Sequence, residues 1–232
     1  MICLNRKILK ILALIFMILD HIGYLFPFAE FIFLRVIGRL AAPIFFYCLI
    51  DGFYNSKNKL QYSLRLGLWG VQMGITNVML QHSFKHPYSE FSFLRPNIFL
   101  SLLCSILIIW ALDELKKDKS KYYLLGGIVS LSALSLLTEA GLLGLSMTYI
   151  FYYSRNNIKK LNCSFSILSF ISIFLYSPVQ GFMILALLPI NLYNGDLGKY
   201  SKKLNEFFYY IYPLHLWILY IISANYFNNI IS

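Results

Sequence analysis

The stretch Ile8–Phe26 reads ILKILALIFMILDHIGYLF. A helix needs ~20 mostly apolar residues to cross the ~30 Å hydrocarbon core of a bilayer, and this run meets that length. Ile8–Leu19 alone would suit the core of a cleaved signal. Asp20 and His21 follow it, however, apolar residues resume through Phe26, and no small-residue cleavage pattern appears. The stretch therefore reads as a retained first membrane helix that carries two ionisable residues near its end.

Composition extends that reading to the whole chain. Of 232 residues 59% are apolar and 13% charged, and mean hydropathy is +0.65. Charged residues at about half the share of a soluble domain leave too few polar groups to cover a water-soluble surface, which excludes a soluble enzyme or a DNA-binding domain. The net charge of +10 does not point to nucleic acid, because the basic residues form short clusters between apolar runs, as cytoplasmic loops of membrane proteins do. The four cysteines, at 3, 48, 104 and 163, show no Cys-x-x-Cys spacing, so neither a disulfide framework nor a metal site is expected.

Further runs cover Phe31–Phe53, Leu60–Leu80 and Asn97–Leu112. Tyr122–Tyr153 and Cys163–Tyr193, of 32 and 31 residues, would each make a helix of about 47 Å, too long for one crossing. Each carries a break, at Thr138-Glu139-Ala140-Gly141 and at Ser177-Pro178, and so reads as a hairpin. A last helix from about Phe207 to Ile222 completes the expectation of an all-α, polytopic bundle with about nine transmembrane helices. Nine spans with a cytoplasmic N-terminus put 16 of the 20 Lys and Arg inside, leaving Arg35, Arg39, Lys85 and Arg95 outside. The positive-inside rule then predicts an N-in, C-out, multi-pass protein of the cell membrane, organised as one domain over 1–232.

Ionisable groups at membrane depth are costly unless they face the bundle interior or a wet cavity, so they are the informative residues. The predicted topology gathers Asp20, His21, Arg35, Arg39, His82, His86, Arg95, Asn97 and Glu139 toward the outer side. Arg35 and Arg39, spaced i, i+4, share a helix face and suit one anionic group, or else they snorkel to headgroups. Asp20 and His21 point ~100° apart and each is expected to meet another helix. Asp20 suits Arg35 or Arg39 as a partner, and His21 suits proton transfer or a helix cap. His215 lies in Tyr212-Pro213-Leu214-His215-Leu216, where Pro213 frees the Tyr209 carbonyl, and reads equally as a packing residue or a ligand contact. The aromatic cluster Phe207 to Tyr212 reads as an interfacial belt. His82 and His86 have metal-pair spacing in a loop setting, too little for a metal site.

Several stretches carry a family likeness. Leu9–Gly23 with its Asp20-His21-Ile22-Gly23 ending, Arg35-Val36-Ile37-Gly38-Arg39-Leu40-Ala41-Ala42-Pro43-Ile44-Phe45, Asn97-Ile98-Phe99-Leu100-Ser101-Leu102-Leu103, Leu192-Tyr193-Asn194-Gly195, and Tyr209–Leu216 occur in order along the chain. The sequence resembles the TraX family of integral membrane acyltransferases, whose named member N-acetylates conjugative pilin. Asp51-Gly52 stands where the family pattern has Glu-Gly. The resemblance implies transfer of an acyl group, acetyl in particular, from cytosolic acetyl-CoA to an amine or hydroxyl of an exported peptide or envelope glycan at the outer face, without a metal. In that reading His21 is the general base, Arg39 holds the oxyanion or the donor, Asp20 orients the arginines, and Arg35, Arg95, Asn97, Glu139 and His215 contact substrate or donor. The alternatives are a small transporter or channel with a buried Asp/His/Arg relay, against which the lack of an internal repeat counts, and a non-catalytic membrane partner protein.

Overall fold

The computed structural model describes residues 3–84, 86, 89–198 and 202–231. Lys85 and Lys199 of the charge count lie outside the described residues, as do the side chains of Lys202 and Lys203. The described chain is all-helical, with one isolated parallel bridge joining Leu4 to Tyr193. Helix α1, Arg6–Leu25, starts at Asn5, whose side chain accepts from the Ile8 amide at 3.0 Å and so satisfies an orphan donor of the first turn. Pro43 divides the next run. It offers no N–H to the Arg39 carbonyl and its ring displaces that oxygen, so Ile32–Gly38 (α2) and Ala41–Tyr54 (α3) meet at an Arg39-Leu40 corner.

Lys59–Phe84 (α4) and Ile98–Lys117 (α5) pack antiparallel. A Cβ added at Gly70 would lie 2.7 Å from Leu100 Cδ2, and one at Gly74 2.6 Å from Phe93 Cδ2, so these glycines serve packing within the chain. Leu124–Leu137 (α6) and Gly141–Ser154 (α7) form the expected hairpin, turning at Gly141 with φ +50°. Ile158–Leu175 (α8) is followed, past Ser177, by a broken segment: Pro178–Gly181 (α9), a 3₁₀ stretch Phe182–Ala186, and Leu187–Asn191 (α10). Lys202–Ile231 (α11) contains Pro213. Phe46, Phe53, Phe151, Phe165 and Tyr220 are fully enclosed in the core, whereas Leu68, Val129 and Phe174 stand exposed on the outside, as suits a surface solvated by lipid.

Helix length and composition support five membrane-crossing helices among the described residues: Arg6–Leu25, Ala29–Tyr54, Ile98–Lys117, Ile158–Leu175 and Glu206–Ile230. The expectation of nine crossings goes beyond this for physical reasons. Helices α6 and α7 have 14 residues each, about 21 Å, and 178–191 is interrupted by its 3₁₀ stretch. Helix α4 is long enough, but glutamine, asparagine, tryptophan and glycine dilute its apolar face.

Candidate functional site

At the end of the bundle where α1 finishes, a cavity of ≈ 330 Å³ opens between α1, α2, α3, the α6–α7 turn and α11. Its polar lining includes Asp20, His21, Arg35, Arg39, Arg95 and Glu139. Six of the eight residues expected at the site therefore converge, and His215 lies directly behind His21.

The cationic wall is built on a close approach of α1 and α2. Gly38 sits against the α1 backbone, where an added Cβ would be 2.7 Å from Asp20 Cα. That approach brings Asp20 to both arginines. Its carboxylate accepts from Arg39 Nη2 through both oxygens and from Arg35 Nη1 at 2.9 Å, and the Asp20 carbonyl accepts from Arg35 Nη1 at 3.2 Å. Arg39 also donates from Nη1 to Gln180 Oε1 at 3.0 Å. Two guanidinium groups share one carboxylate, so the cluster carries one positive charge in excess. With side chains 18–26% exposed, the group is wetted by the cavity rather than sealed from it.

The opposite wall is an acid–base series. His215 Nδ1 lies 2.8 Å from the Ile211 carbonyl, which can only accept, so Nδ1 carries the hydrogen and Nε2 of a neutral His215 is an acceptor. His21 Nδ1, 2.9 Å from that Nε2, must then donate. A neutral His21 is thereby left with its lone pair on Nε2, 3.9 Å from Glu139 Oε1. Tyr212 donates to Glu139 Oε2 at 3.0 Å. Helix α5 fixes the turn that carries Glu139: Ser101 Oγ donates to Thr138 Oγ1 at 2.9 Å and accepts from the Ala140 amide at 3.1 Å.

Two of the expected contacts are engaged by the protein's own backbone. Asn97 is completely buried away from the cavity, its amide donating to the carbonyls of Gly70 at 2.8 Å and Phe93 at 3.1 Å, which ties α4 to α5. Arg95 lines the cavity but donates to the Leu136 and Leu137 carbonyls, capping the C-terminal end of α6. Tyr212 departs from the belt expected of Phe207 to Tyr212, being buried beside Glu139. Gln180 and Ser101 were not singled out in the sequence. The Pro178 break two residues earlier was the available signal for Gln180, since it forces a chain turn at this level.

His82 and His86 line a separate groove, and His86 Nε2 pairs with Ser223 Oγ at 3.0 Å. Burial pushes the His86 pKa below its ordinary value. Among the described residues, no group of three or more His, Cys, Asp or Glu side chains is arranged to hold a metal.

Comparison with known proteins gives a family match described as TraX protein over residues 5–223. An uncharacterized protein of Rickettsia prowazekii (strain Madrid E) is 39% identical over 98 residues, 42% of this chain and 33% of that protein. A probable fimbrial assembly protein FimC, serogroup H1, of Dichelobacter nodosus is 39% identical over 66 residues, 27% of each. The matched stretches thus span about a third or less of these relatives. No solved structure matches significantly.

Proposed function

We propose, since this chain belongs to the TraX protein family, that it transfers an acyl group, acetyl in the first instance, from cytosolic acyl-CoA to an amine or hydroxyl of an exported peptide or envelope glycan. The observation that carries this reading is the division of charge across the cavity. When a base takes a proton from the acceptor and the acceptor attacks a thioester carbonyl, one positive charge appears on the base and one negative charge on the carbonyl oxygen. Glu139 stands 3.9 Å from His21 Nε2 to meet the first, and the Asp20–Arg35–Arg39 cluster holds one excess positive charge to meet the second. Fixed charges of this kind, aimed at charge that develops only during reaction, lower a barrier more than charges that reorganise.

His21 is the general base. Arg39 and Arg35 stabilise the oxyanion, and Asp20, with Gln180, holds the guanidinium groups in register. Collapse breaks the thioester C–S bond, the acyl carbon keeps its new bond to the acceptor nitrogen or oxygen, and the proton on His21 passes to the leaving sulfur. Glu139 steadies the transient imidazolium. The charge asymmetry of the loops supports a cytoplasmic N-terminus and an outward-facing cavity in the cell membrane; the shorter helices α6, α7 and 178–191 would complete the nine crossings by packing against the long ones.

The test is an intact-mass comparison of exported peptides and envelope glycans from cells with and without the protein. An acyl increment that depends on the protein and disappears in His21→Ala is expected, whereas identical masses would reject the transferase and return attention to an ion relay. Cysteine probes at Glu90 and Ser120, both exposed, check the sides: an impermeant reagent added outside should label the first and not the second.

A further inference from the structure

The cavity does not end at His21. A second, narrower space of ≈ 80 Å³ continues from it, and the two share Met17, Phe45, Ile98 and Tyr212 in their walls. On α1 the lining runs Lys10, Leu14, Met17 and then Asp20 and His21, a single stripe at helical spacing. The remaining walls are Cys48, Leu49, Leu66, Phe99, Leu102, Phe208 and Tyr209 with Lys10 and Tyr62 toward the far end. Two cations mark that end: the Lys10 ammonium lies 5.7 Å from the Phe208 ring centroid and the Arg65 guanidinium 5.6 Å from that of Tyr209.

We infer that this slot seats the uncharged arm of a phosphopantetheine thioester, with the phosphate between Lys10 and Arg65 and the thioester at His21. The inference rests on the acyl-transfer reading and adds the donor's seat to it. Three properties of the slot select this chemistry. At ≈ 80 Å³, about a quarter of the neighbouring cavity, it suits a chain rather than a nucleotide. Along most of its length its walls are aliphatic and aromatic, so a phosphate dehydrated there would be costly, whereas a phosphate at the Lys10 end meets cations. Its length also fits. From Lys10 to His21 the α1 axis rises about 16 Å. The phosphopantetheine arm has about 13 consecutive bonds from phosphorus to sulfur and, at the extended-chain advance of 3.3–3.6 Å per three bonds, spans about 15 Å. The atoms balance as in any thioester acyl transfer: the C–S bond breaks, the acyl carbon bonds to the acceptor, and the acceptor's proton leaves on the thiol, which withdraws through the slot. Coenzyme A and the prosthetic arm of an acyl carrier protein present the same chemistry.

A donor series tests it on purified protein, with a fixed small amine as acceptor and free thiol as readout. Acetyl-CoA and acetyl-phosphopantetheine should be used alike, and acetyl-pantetheine, which lacks the phosphate, should lose roughly 10-fold or more in kcat/KM. In Lys10→Gln/Arg65→Gln the advantage of the phosphorylated donor should collapse. Leu66→Trp, which fills the slot away from the cavity, should suppress every pantetheine donor while S-acetyl-N-acetylcysteamine, short enough to enter from the open cavity, remains a substrate. Acetylated carrier protein is run beside acetyl-CoA, and the faster of the two names the source. Equal use of acetyl-pantetheine and acetyl-CoA by the unaltered protein overturns the inference. Equilibrium binding of phosphopantetheine separates it from the parent reading: binding that requires Lys10 and Arg65 without turnover would uphold the slot and reject the transferase, and no binding would reject the slot.

Discussion

His215 does not line the cavity, yet under the proposed mechanism turnover depends on it. In His215→Leu the His21 Nδ1–H loses its acceptor at 2.9 Å in a site where His21 is only 5% exposed. A buried donor left unsatisfied costs about 1–3 kcal/mol. Neutral imidazole escapes that cost by moving its hydrogen to Nε2, which removes the lone pair from the cavity. At ~1.4 kcal/mol per decade, the fraction of His21 in the competent tautomer falls about 5- to 150-fold. The loss should appear in kcat, with the acceptor KM little changed, because nothing that contacts the acceptor has been altered. His215→Gln supplies a carbonyl in place of Nε2 and should recover most of the rate. Turnover of the three proteins is compared per folded molecule, by thiol release from acetyl-CoA. A leucine variant within about twofold of the parent, or a glutamine variant no better than leucine, would refute the tautomer argument.

Three further outcomes are expected. His21→Ala should lower acyl transfer by roughly 10²–10⁴-fold, the usual contribution of a positioned base, while the protein still inserts and binds coenzyme A; near-normal turnover would move the base elsewhere. Gly38→Ala forces a methyl group to within 2.7 Å of Asp20 Cα and should cost about 1–3 kcal/mol of stability by overpacking, read as a lower melting temperature in detergent, with Gly126→Ala, which meets nothing within 4 Å, as the tolerated control. His86 has its pKa lowered in the folded protein, so the unfolded chain takes up its proton first: the stability held above the ordinary histidine range should decline as pH falls from there toward the depressed value, and His86→Gln should flatten that decline in melting scans between about pH 7 and 5.

What the sequence made legible follows from period and cost. The breaks at Glu139 and Pro178 were readable because an acidic residue and a missing amide are local facts, and the structure turns the chain at both. The pairing of Asp20 with Arg35 and Arg39 was readable because three ionisable groups at membrane depth must compensate one another. Asn97 was not, since an asparagine that satisfies a neighbouring helix's backbone and one that meets a ligand look alike until the carbonyl of Gly70 is seen opposite it. The tautomer series was also hidden: Pro213 suggested a freed carbonyl at Tyr209, but the one His215 uses belongs to Ile211. Span count was legible only in part, because apolar runs report burial in lipid or in protein equally, and 14-residue helices can serve either.

The separation of 194 residues between the two imidazoles gives the site a history during synthesis. At about 5–20 residues per second, a ribosome delivers His215 some 10–40 s after His21. Asp20 finds Arg35 and Arg39 within the first 39 positions of the chain, so the cationic wall can assemble almost at once. The basic wall waits for the last helix. A nascent chain therefore holds the oriented ion cluster long before the last helix brings His215 to His21, and a truncation that removes α11 should yield a membrane-inserted fragment with the ion cluster intact and His21 without its Nδ1 partner.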